Sequence, residues 1–82
     1  MHENVELVLV SNGFMKDETK KAWVKGKYSA YFSGIKELTI KYLTDVRKSD
    51  TQEVKINISV YIGRYDSTMA LENILKGVCY ER

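Results

Sequence analysis

Along residues 21–32 (KAWVKGKYSAYF) lysines and aromatic rings recur at every second position. Lys21, Trp23, Lys25, Lys27, Ser29 and Tyr31 fall on one side of an extended chain, and Ala22, Val24, Gly26, Tyr28, Ala30 and Phe32 on the other. Ammonium groups neutralise phosphates, and flat rings stack on unpaired bases whatever their identity. A tryptophan among lysines on the wet side of a sheet leaves a large apolar ring uncovered, so the pattern predicts that something lies over it. Lys41, Lys55, Asn57, Ser59 and Tyr61 join the same expected face, with Glu37 and Asp45 as its acidic members. The binding residues expected from this pattern are Lys21, Trp23, Lys25, Lys27, Tyr31, Lys41, Lys55, Asn57 and Tyr61, and the expected ligand is single-stranded nucleic acid.

Two other accounts fit the same residues. Exposed Trp and Tyr are enriched among the residues that dominate protein interfaces, so the face also suits a protein partner or a second copy in a homodimer. A solvated sheet surface with no partner uses the same residue types, because Lys discourages edge pairing and Thr, Ser and Tyr are good strand formers.

Little else points to chemistry. His2 is the only histidine and sits at a chain end expected to be mobile, so a Ser-His or Cys-His pair is not expected. Cys79 stands alone, which excludes an internal disulfide and a Cys-based zinc site, and it reads as a small buried apolar residue. Asp45, Asp50, Glu53 and Asp66 occur near turns without the spacing of a calcium loop. Gly63-Arg64-Tyr65-Asp66-Ser67 leads into an expected helix, where capping by Asp66 or Ser67 accounts for the residues better than an anion site. The expectation is a binding protein that is not an enzyme, with no cofactor and no metal.

With 82 residues the chain is expected to be a single domain spanning 1–82. Its 44% hydrophobic and 29% charged residues, without any Pro, suit an ordered globular fold. Thirteen basic and eleven acidic side chains give a net charge of +2, so nucleic-acid affinity must come from local segregation of charge rather than from overall excess. The lone cysteine suits a reducing, cytoplasmic setting, and no apolar run reaches the length of a membrane span or a secretory leader.

The elements that would position this face can be read from periodicity. Val5–Ser11 (VELVLVS) is apolar on both sides, as in a central strand, and Asn12-Gly13 predicts a turn after it. Residues 21–32 form the next strand, and residues 35–47 read as a third, with a helix as the competing period. In Val54–Ile62 the residues Val54, Ile56, Ile58, Val60 and Ile62 alternate without interruption, which predicts one continuous core side. Ala70, Leu71, Ile74, Leu75 and Val78 recur at helical spacing after Asp66-Ser67, and Val78–Glu81 suits a short final strand or an untied end. The expected fold is thus α+β: a small twisted antiparallel β-sheet in β-β-β-β-α order with a C-terminal amphipathic helix packed on one face. The competing order is a ferredoxin-like β-α-β-β-α-β, in which Asp17 caps a helix carrying Val24, Tyr28, Tyr31 and Ile35.

The β-β-β-β-α order is shared with some single-strand-binding domains. In its shortness and its Lys, Ile and Tyr content the chain also resembles small accessory proteins of phages and mobile elements. That resemblance implies a protein that binds and modulates, by inhibition, a larger protein partner.

Overall fold

The computed structural model describes residues 3–79. Along them run helix α1 (Glu3–Ser11), strands β1 (Met15–Asp17), β2 (Ala22–Lys25), β3 (Tyr28–Ser33), β4 (Glu37–Lys48) and β5 (Glu53–Arg64), and helix α2 (Thr68–Val78). The expected α+β class with an antiparallel sheet is present, but the element order is α-β-β-β-β-β-α, which differs from both orders expected above. Residues 80 and 81 of the expected final strand, and His2, lie outside the described residues.

The first difference is local. Residues 5–11 form a helix because Val5 and Leu9, four apart, both reach the core with Val8 beside them, while Leu7 and Val10 are left 61% and 60% exposed. Valine-rich runs favour strands by propensity, and burial against a second helix overrides that preference here. Asn12-Gly13 ends this helix rather than turning a hairpin. Gly13 has φ +88°, its N–H donates to the Val10 carbonyl at 3.0 Å, and the Phe14 N–H reaches the Leu9 carbonyl at 2.9 Å. This is the paired-bond glycine cap of a helix C-terminus, and Phe14 and Leu9 make the apolar contact that accompanies it.

The second difference is that residues 21–32 are two strands, not one. Gly26, at φ +57°, and Lys27 make a two-residue turn that pairs Trp23 with Ala30, Val24 with Ser29 and Lys25 with Tyr28. All five strands then follow in chain order as a meander, β1-β2-β3-β4-β5, each antiparallel to its neighbours. Residues opposite one another share a side of the sheet, so Trp23, Ala30 and Ile40 lie on one side, as do Phe32 and Leu38. These residues meet Val5 and Leu9 of α1 and Leu71 and Leu75 of α2 in the single core cluster, so both helices cover this side. We call it the core face and the other the open face.

Helix α2 follows its sequence closely. Ser67 caps it, accepting from the Ala70 N–H at 3.1 Å, and Leu71 and Leu75 are buried with Ile74 and Val78 packed at their flanks. A Glu72–Lys76 ion pair of 2.7 Å spans one turn on the solvent side.

The third difference concerns β5. Its apolar alternation does not stay on the core face, because β5 carries an extra residue where Ile40 pairs with Tyr61 and the next residue, Lys41, pairs with Ser59. Val60 is the bulged residue, and it shifts the phase by one position. Tyr61, opposite Ile40, therefore packs on the core, and Ile62, opposite Thr39, is 75% exposed on the open face. Below the bulge Ile58 and Ile56 return to the core side, but there the sheet extends past the helices. A second bulge at Thr44 on β4 lies in this outer part of the β4–β5 hairpin.

Trp23 shows how strongly the core depends on the corrected register. It is 7% exposed and sits among core residues, the reverse of the uncovered ring expected from sequence. Trp23→Ala is expected to lower stability by about 3–5 kcal/mol, measured by urea denaturation. A loss below ~1 kcal/mol would contradict its place in the core.

Candidate nucleic-acid interface

The turn at Gly26-Lys27 decides which lysines share a face. Trp23 and Lys25 belong with the core side. The ammonium of Lys16 lies 5.9 Å from the centre of the Trp23 ring and that of Lys25 lies 6.0 Å from the Phe14 ring. These two lysines therefore cover the margin of the core, an attraction of charge to ring face that serves packing. Tyr61 is also on the core side, and its hydroxyl donates to the Arg64 carbonyl at 3.1 Å. Lys21 is exposed at φ +54° in the β1–β2 loop, beside Lys16 and Glu18 at a separate depression.

The other five expected residues come together. Lys27, Tyr31, Lys55 and Asn57 line one concavity of about 210 Å³ on the open face. Lys41, next to them, holds its ammonium 5.3 Å from the centre of the Tyr31 ring. Four elements build the site. Lys27 comes from the β2–β3 turn, whose backbone is tied to β4 by the Leu43 N–H donating to the Lys27 carbonyl at 2.9 Å. Tyr31 stands on β3, Lys41 on β4, and Lys55 and Asn57 on β5, brought opposite Val46 and Leu43 by the bulged register.

Two residues absent from the expected set also belong here. Lys20 reaches the concavity from the β1–β2 loop. That loop is shaped by Asp17, whose carboxylate accepts the N–H groups of Thr19 and Lys20 at 3.0 and 3.1 Å. Nothing in the alternation of a strand signals a loop lysine, so only the turn geometry places it. Leu43 lines the same concavity, and its signal was present, since it alternates with Thr39 and Lys41 along β4. Ser29, 7% exposed, and Val24 complete the wall.

The resulting charge distribution is one-sided. Among the described residues no carboxylate lines the concavity, while lysines from the β1–β2 loop, the β2–β3 turn and β5 do, with Lys41 at its margin. Asp17 is committed to its own turn, and Glu53 pairs with Lys48 at 3.8 Å toward the hairpin tip. Asp45 is held by Arg47 at 3.4 Å and by the Val46 N–H at 2.8 Å. The face thus presents several ammonium groups together, with one ring beside them.

A larger concavity of about 560 Å³ lies on the helical side, between Val5, Phe32, Ile35, Tyr65 and the first turn of α2. Its only ammonium group among the described residues, that of Lys36, donates to the Asp66 carbonyl at 3.1 Å and so braces the β3–β4 loop against the helix entry. Among the described residues no cluster of three His, Cys, Asp or Glu is placed to hold a metal, and no helix is long and apolar enough to cross a membrane. No family model, curated protein or solved structure matches the chain.

Lys20, Lys27, Lys41 and Lys55 have no ion-pair partners among the described residues, so their removal is expected to be nearly neutral for folding. Lys27→Gln and Lys55→Gln should each change unfolding free energy by no more than about 0.5 kcal/mol in urea titrations. A larger loss would mean that these side chains support the fold.

Proposed function

We propose that this protein is a non-enzymatic binding domain that holds single-stranded nucleic acid on its open face. The observation that supports the reading is the convergence of Lys20, Lys27 and Lys55, with Lys41 alongside, around Tyr31 and Asn57 in a concavity that no carboxylate of the described residues lines. Trp23 has no part in it. The stacking role expected of that ring passes to Tyr31, which is half-buried in the lining of the concavity and flanked by an ammonium that would meet the phosphate next to a stacked base. The Asn57 amide offers both a donor and an acceptor to a base edge. A hollow of about 210 Å³ admits one base or phosphate group rather than the side of a duplex, so the ligand is an unpaired strand.

The accessory-protein reading has its support elsewhere, in the apolar side chains exposed on the outer β4–β5 hairpin. It predicts capture of a protein partner that does not depend on the open-face lysines.

Fluorescence anisotropy with labelled oligothymidylate decides the first reading. Binding should weaken with salt, with a slope of about 0.7 per neutralised phosphate, and Lys27→Gln and Lys55→Gln should each reduce that slope by about 0.7. Tyr31→Ala should lose about 1–3 kcal/mol of affinity. Absence of salt-dependent binding in low-salt buffer, with the domain folded, would overturn the proposal.

A further inference from the structure

Strand β5 ends the sheet, and among the described residues no strand lies beyond it. From Glu53 to Ser59 its own backbone runs without an extra residue, since the bulge at Thr44 belongs to β4 and Val60 closes the stretch. The Thr44 hydroxyl donates to the Ile56 carbonyl at 3.0 Å, so the Ile56 peptide groups are turned toward β4. Alternation along an antiparallel strand then turns the N–H and C=O groups of Lys55 and Asn57 outward, away from β4. On the core side of the same stretch Val54 and Ile58 are 47% and 51% exposed, with Ile56 half-buried between them.

We propose that this edge pairs with β5 of a second copy, antiparallel, about a two-fold axis at Ile56. In that register Ile56 meets Ile56 of the second copy, Val54 meets Ile58, Lys55 meets Asn57 and Glu53 meets Ser59. The apolar rungs match on one side and no like charges stand directly opposite on the other. The outward groups of Lys55 and Asn57 satisfy one another, while Ile56 forms the close pair without hydrogen bonds across the axis.

Charge favours a second copy as the occupant. Residues 44–58 carry Asp45, Asp50 and Glu53 against Arg47, Lys48 and Lys55, so two such hairpins approach without net repulsion. A parallel pairing in register would instead set Lys55 beside Lys55 and Glu53 beside Glu53. The two-fold also closes. It uses the long edge of each sheet and leaves only β1, three residues long, at either end. Because the axis is perpendicular to the sheet, both open faces point the same way.

Sedimentation equilibrium of the full chain tests this inference independently of any nucleic acid. The expected mass is twice the 9.5 kDa of one chain. Ile56→Lys, which sets two like charges together at the axis, should give a folded monomer by circular dichroism. Ile56→Cys should oxidise to a disulfide-linked dimer, as the close pair lies within the ~4.4–6.8 Å range of Cα separations for a disulfide, and Ile62→Cys, beyond the bulge, should not. A wild-type chain that stays at 9.5 kDa at its highest soluble concentration overturns the proposal. So does a dimer that survives Ile56→Lys, or one in which Ile56→Cys fails to cross-link.

Discussion

Two helices of nine and eleven residues have to cover a sheet whose longest strands run to twelve. At 1.5 Å per residue the helices are about 14–17 Å long, and at roughly 3.3 Å per residue the strands reach about 40 Å. The mismatch divides the molecule. Where the helices lie, Phe14, Trp23, Ala30, Leu38 and Ile40 are buried against Leu9, Leu71 and Leu75. Beyond them the β4–β5 hairpin continues as a two-stranded arm with water on both sides, which gives the molecule its 45 Å long dimension. The exposed valines and isoleucines of that arm are a consequence of how little helix the chain provides.

Within the covered part, register decides where each ring and charge goes. The turn at Gly26-Lys27 assigns Trp23 to the core, and the bulge at Val60 assigns Tyr61 to the core and Ile62 to the open face. Neither device changes residue composition, yet each reverses which side chains are available to a ligand. The open face keeps its lysines because neither described helix packs there and because its acidic neighbours are engaged in their own turns and ion pairs.

Much of this was legible in the residues. The Asp66-Ser67 cap and the Ala70–Val78 spacing located α2, and the density of β-branched residues distinguished β4 from a helix. Five of the nine expected binding residues do share a face. Two of the differences, in residues 21–32 and in Val54–Ile62, share a cause, the assumption that alternation persists unbroken. Residues 21–32 alternate through a turn, and Val54–Ile62 alternate through a bulge, and in both the apolar pattern is continuous in sequence but not in space. The error at α1 is different in kind. A run as short as VELVLVS carries both periods, and only the presence of Leu71 and Leu75, more than sixty positions away, selects the helix.

That last dependence bears on how the chain reaches its fold. Every strand pairs with its neighbour in sequence, so the sheet can close hairpin by hairpin over short loops, and the chain has no proline to impose slow isomerisation. The α1–α2 contact is the exception, joining the two ends of the described fold. During synthesis α1 is made before α2, so its apolar stripe has no partner helix to meet until α2 has followed. Completion of the core therefore waits for α2, and before it the growing chain carries Val5 and Leu9 incompletely covered, in a form that a chaperone or a neighbouring nascent chain can engage.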